Sequence, residues 1–127
     1  MKVTTAQEGD VLSNCRRVTP VISRIGDKWT VLIIAVLRHG PCRFNAIKRA
    51  VDGISQQMLT RTLKSLERDG MVIRTTFPTT PPQVQYELSE LGQSLSGPVL
   101  ALGKWAYDHL AAIDQARATY DLRSDGD

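Results

Sequence analysis

The spacing of apolar residues changes at Gly70, and that change limits the possible fold more than any other feature of the chain. Up to Asp69 apolar residues recur at helical steps of three and four; from Met71 they alternate with polar ones. Ser55 is placed to cap a helix over Gln56 to Asp69, with Met58, Leu59, Leu63 and Leu66 on one side when projected at ~100° per residue. Its other side carries Gln57, Thr60, Arg61, Lys64 and Arg68 in one polar, basic face, with Glu67 and Asp69 at the margins. Beyond Gly70, Met71 to Phe77 and Gln83 to Leu88 read as two strands, and Pro78 to Pro82 form the tip between them. A capped helix leading through a glycine into a β-ribbon predicts a mainly α fold with a small β-hairpin, α+β in class.

Helical spacing governs the remaining segments. Leu12, Cys15, Val18, Ile22 and Ile25 predict a short helix within Val11 to Ile25, where Pro20 falls in a first turn or imposes a break. Asp27 caps a helix with the stripe Trp29, Leu32, Ile33, Val36 and Leu37, ended by Gly40 and Pro41. A shorter helix runs from about Arg43 to Ala50, and Val51 to Gly53 turn the chain. Ser89 opens a final helical region through Leu91, Leu95, Val99, Leu102, Trp105 and Leu110, with a break or kink expected at Gly97 and Pro98. A chain of 127 residues is the size of one domain. That domain is expected over 11–116, between a flexible N-terminus at 1–10 and a polar, acidic tail at 117–127. The apolar run from Trp29 to Leu37 is far shorter than the ~20 residues of a membrane span. The first ten residues lack the apolar stretch of a secretory signal, so a cytoplasmic protein without membrane contact is expected.

The formal charge of +3 is unevenly distributed. Residues 1–37 carry five basic and three acidic side chains, 38–74 carry eight and three, and 75–127 carry three and seven. The middle third, at +5, holds two short helices, the turn between them and the first strand, and it suits a polyanion. Two helices joined by a tight turn and followed by a ribbon form the order of a winged helix-turn-helix. The second helix has the diameter to enter a DNA major groove, where Gln pairs with adenine, Arg or Lys with guanine or phosphate, and Thr with a thymine methyl. Ser55, Gln56, Gln57, Thr60, Arg61, Lys64 and Arg68 are the candidates there. Arg43 precedes them, and Arg74, Thr76, Thr79 and Thr80 on the ribbon are placed to follow the backbone. The other reading of the same fold is a winged-helix protein-interaction module that does not bind DNA.

Five segments, taken in order, resemble the HxlR-type transcriptional regulators. They are Gly26-Asp27-Lys28-Trp29-Thr30, Gly40-Pro41-Cys42-Arg43-Phe44, the run from Gly53 to Leu63, Leu66 to Val72, and Pro81 to Ser89. This family is related in fold to the MarR group. The resemblance spans roughly Cys15 to Trp105 and implies a bacterial DNA-binding regulator, with repression the expected sense. It implies a homodimer joined through its first and last helices on a near-palindromic operator, with Pro78 to Pro82 as the wing. Leu12, Leu95, Val99, Leu102, Trp105 and Ala106 are the candidate interface residues, a proposal that the small size of the core supports independently.

Two cysteines 27 positions apart fit neither a zinc spacing nor a disulfide framework. Cys15 precedes Arg16 and Arg17, cations that favour thiolate chemistry, and the resemblance implies a sensor of oxidants or electrophiles near this position. The plainer reading of either cysteine is a small buried hydrophobe. His39 sits at a helix end, and His109 has no partners at metal spacing. No hydrolase, metalloprotease, P-loop or dinucleotide signature occurs. No cofactor or metal is expected, and the chain does not read as an enzyme. The expected partners are double-stranded operator DNA, a second copy of the chain, and a small-molecule or oxidant effector.

Overall fold

Asp27 starts the central helix of the protein. In the computed structural model, which describes residues 8–126, its carboxylate accepts the backbone N–H groups of Trp29 at 3.1 Å and Thr30 at 3.4 Å. The helix that follows is α3, Lys28–Leu37. Two helices precede it, α1 (Glu8–Ser13) and α2 (Cys15–Ile25). After it come β1 (Cys42–Arg43), α4 (Phe44–Ala50), α5 (Gln56–Arg68), β2 (Val72–Phe77), β3 (Gln83–Leu88), α6 (Glu90–Asp108) and α7 (Leu110–Gly126).

Each end of α5 is stopped by the chemistry that its sequence announces. The Ser55 hydroxyl accepts the Met58 N–H at 3.0 Å. At the other end Gly70 takes φ +78°, which only glycine adopts without strain. The Met71 N–H then reaches back to the Leu66 carbonyl and the Gly70 N–H to that of Glu67, so the chain turns directly into β2. Strand β3 pairs with β2 from Val72 opposite Leu88 to Phe77 opposite Gln83. On its other side it pairs with β1, with Cys42 opposite Tyr86 and Arg43 opposite Gln85. The sheet thus has the order β1-β3-β2, three antiparallel strands where a two-stranded hairpin is expected. β1 has only two residues, too few to show a period.

The core gathers Ile33, Ile34 and Leu37 of α3, Ile47 and Val51 at the end of α4, Leu59, Leu63 and Leu66 of α5, and Val72 and Leu88 of the sheet. Ser89 joins α6 to this core. Its hydroxyl donates to the Gly70 carbonyl at 2.5 Å and accepts the Gly92 N–H at 3.1 Å. Gly92 is buried there against the Met71 carbonyl, with no room for a Cβ.

Several expectations are corrected. The stripe on α3 holds except at one position: Ile33 and Leu37 are buried and Trp29 and Val36 pack half-buried against the core, but Leu32 is exposed, and Thr30 and Ile34 are buried beside them. Apolar residues surround this helix, so periodicity could not fully choose its inner face; packing against α5 and α6 chose it. On α5, Thr62 is buried while Met58 is half-buried, because the Thr62 hydroxyl donates to the Met58 carbonyl at 2.8 Å and so needs no water. The break in the N-terminal segment falls at Asn14, whose side-chain amide donates to the Asp10 carbonyl at 2.8 Å, and Pro20 lies inside α2. Gly97 and Pro98 do not interrupt α6, which is anchored on either side by Gly92 and Val99 in the core; the break falls at His109. Val99 itself is only 4% exposed within one chain, so it packs in the core rather than on an outer face. Of the expected flexible stretch 1–10, residues 1–7 lie outside the described residues, and Glu8 already begins α1. Helix α7 continues past residue 116, the expected end of the domain, and reaches Gly126. Asp127 lies outside the described residues.

Candidate nucleic-acid interface

The turn between α4 and α5 passes through Gly53 at φ +85°, and it sets α5 with its apolar side on the core and its polar side outward. Gln56, Gln57, Thr60, Arg61 and Lys64 line one shallow concavity on that outer side. No acid is among them. Thr60 and Lys64 also line a second concavity, together with Glu67, Arg74 and Tyr86, where α5 meets the sheet. The two shared residues make one groove that runs from the helix to the root of the ribbon.

Six of the twelve expected contact residues, Gln56, Gln57, Thr60, Arg61, Lys64 and Arg74, meet in this groove. Arg74 is steered along β2 by a hydrogen bond from its guanidinium to the Thr76 hydroxyl at 3.1 Å. At the ribbon tip the Thr79 hydroxyl donates to the Pro81 carbonyl at 2.7 Å, and Thr80 is exposed. Ser55 is occupied as the cap of α5. Arg68 is exposed in the last turn of α5 but lines neither concavity, and a cation there complements the helix dipole. Arg43 stands apart, in a cleft it shares with Asn45, Arg49, Pro82 and Val84 between α4 and the start of β3.

Two groove residues escape a reading of the sequence alone. Tyr86 belongs to the apolar alternation of β3, yet it faces Arg74 across the β2–β3 ladder and is only half-buried. The strand register is the signal that could have found it. Glu67, at the margin of the projected face, lines the groove between Lys64 and Arg74 and puts one acid at its wing end.

A helix-turn-helix with a basic groove leading to a ribbon is also what comparison with known proteins finds. The family model described as HxlR-like helix-turn-helix matches residues 24–114. The chain belongs to the HxlR-like helix-turn-helix family. The uncharacterized HTH-type transcriptional regulator YtfH of Escherichia coli is 36% identical over 99 residues, 78% of this chain and 79% of that protein. The solved structure of the ytfH protein of Salmonella typhimurium superposes with a TM-score of 0.76 at 35% identity, covering 80% of this chain and 91% of that one. The diamide-treated YodB of Bacillus subtilis gives 0.64 at 38% identity, over 74% and 93%. Like its relatives, this HxlR-like protein is a DNA-binding transcriptional regulator.

Helices α1 and α6 of this HxlR-like protein carry apolar side chains that a single chain leaves exposed. Leu12 on α1 and Leu102, Trp105 and Ala106 on α6 are exposed, with Trp105 stacked on His109 at 4.3 Å. Leu95 is half-buried against the core, in which Val99 is buried. Cys15 is exposed at the first residue of α2, and Cys42 is half-buried, its thiol 3.6 Å from the Gly40 carbonyl. Among the described residues no helix is long and apolar enough to cross a membrane, and no group of three His, Cys, Asp or Glu side chains could hold a metal ion.

Proposed function

We propose that two copies of this chain form a cytoplasmic homodimer that represses transcription by gripping a near-palindromic operator. The dimer places one α5 helix in each of two successive major grooves, about 34 Å apart. One observation carries this reading: Gln56, Gln57, Thr60, Arg61 and Lys64 share a concavity without an acid, continuous with Arg74 at the ribbon. Gln56, Gln57 and Arg61 read base edges, and Thr60 meets a thymine methyl. Lys64, Arg68, Arg43 and Arg74, with Ser55, Thr76, Thr79 and Thr80, hold phosphates and set the register. The exposed Leu12, Leu102, Trp105 and Ala106 join the copies. The work of the protein is binding rather than turnover.

Selection of bound duplexes from a random library, followed by titration, tests the reading. Arg61→Ala is expected to cost about 1–3 kcal/mol on the selected site and to relax its sequence preference. Lys64→Ala is expected to weaken all duplexes alike and to lower the salt slope by about one. Binding that ignores salt overturns the assignment of the face. The exposed thiol of Cys15 is the site at which an oxidant or electrophile would release the DNA, and the likeness to diamide-treated YodB supports that role. Diamide is expected to weaken operator binding of the wild type and not of Cys15→Ser; an equal response in both overturns it.

A further inference from the structure

Arg24 closes the last turn of α2, and Asp69 caps the C-terminus of α5, 45 positions later. One guanidinium nitrogen of Arg24 donates to both carboxylate oxygens of Asp69, at 2.7 and 2.9 Å. Among the described residues it is the only ion pair that joins two different elements; the other, Lys104 with Asp108, lies within α6. The Asp69 side chain is 24% exposed and that of Arg24 43%, so the pair is partly withdrawn from water. Besides this pair, Ile25 in the last turn of α2 packs half-buried against the core. No residue of α2 is buried, and only Gly26 and Asp27 separate it from α3. Arg24 also lines a cleft with Asp27, Arg61 and Ser65, so it adjoins the DNA-reading face of α5.

We infer that Arg24 is a positioning residue for DNA recognition: by holding Asp69 it fixes the N-terminal helices against α5 and thereby sets the spacing of the two recognition helices. The inference rests on the dimeric reading above, in which the flanking helices join the copies. With no fully buried residue, α2 depends on Ile25 and on specific contacts for its direction, and a charge-assisted bond that engages both carboxylate oxygens restrains it. Loosening it leaves each copy able to read its own half-site. It lowers the effective concentration of the second recognition helix at the second half-site.

The test compares duplexes selected by the wild type, intact and cut to one half-site, with Arg24→Gln, Asp69→Asn and Arg24→Lys. Each variant is first checked for folding by circular dichroism and for dimerisation by sedimentation. Arg24→Gln and Asp69→Asn are expected to lose about tenfold of the advantage of the full site over the half-site, while half-site affinity stays within about twofold of wild type. Arg24→Lys, which keeps one charged nitrogen able to reach the carboxylate, is expected to fall between the wild type and these two variants. An unchanged ratio in Arg24→Gln and Asp69→Asn overturns the inference, as does an equal loss on both duplexes, which marks a merely structural pair. If Arg24→Gln fails to fold, Asp69→Asn and Arg24→Lys decide by the same ratios. A wild type that is monomeric, or has no full-site advantage, refutes the dimeric reading itself and the inference with it.

Discussion

Helices α2 and α3 are neighbours of nearly equal length, and they end in opposite environments. Of the ten residues of α3, Thr30, Ile33, Ile34 and Leu37 are buried; of the eleven of α2, none is, although Val18, Val21, Ile22 and Ile25 give it an apolar side. The contrast recurs at the other end of the chain. Gly92 and Val99 tie the first half of α6 to the core, while Leu102, Trp105, Tyr107 and Leu110 beyond them are exposed. The winged-helix unit from α3 to the start of α6 closes its core within one chain. The helices outside it carry apolar surface that a single chain leaves uncovered, the surface that the proposed dimer would bury.

The comparison breaks most readily in the core. Ile34→Ala is expected to destabilise the fold by about 2–5 kcal/mol in urea unfolding, since Ile34 is fully buried. A loss below about 1 kcal/mol would mean that the unit does not depend on this packing. Gly92→Ala drives a Cβ into the Met71 carbonyl, and a cost of about 1–3 kcal/mol is expected where the backbone must move. Ser55→Ala removes the cap of α5 and is expected to cost about 1 kcal/mol, with weaker DNA binding as the first turn frays. The smallest effect on folding belongs to the flanks. Leu102→Glu combined with Trp105→Glu is expected to change the unfolding free energy of the dilute single chain by no more than about 0.5 kcal/mol. The same substitutions are expected to abolish dimers in sedimentation. Dimers that survive them would relocate the interface away from α6.

Much of this was legible because it depends on local chemistry. Asp27, Ser55 and Ser89 cap helices as their positions announce, and Gly70 marks the switch from α5 to β2. The outward set Gln56, Gln57, Thr60, Arg61 and Lys64 follows from helical geometry once the buried side of α5 is known. Other features were not legible because they depend on which surfaces meet. The inner face of α3 could not be fully chosen from a helix apolar on most sides, and α6 runs through Pro98 without a break because packing on both sides outweighs one missing N–H. Arg24 and Asp69 carry no mutual signal across 45 positions, and Tyr86 and Glu67 join the groove only through strand register and the approach of α5 to the sheet.

By itself, then, the sequence determined where α3, α5 and α6 begin and where α5 ends, which face of α5 carries the cations, and that a basic helix-turn-helix precedes a ribbon. These rest on caps, glycine conformations and periods that act within a few residues. Tertiary structure alone decided that Val99 is core while Leu102 and Trp105 are surface, that Arg24 ties α2 to the end of α5, and that Arg43 lies in a cleft of its own. Burial and ion pairing between distant segments are properties of the packed whole, because they depend on distances that no local pattern encodes.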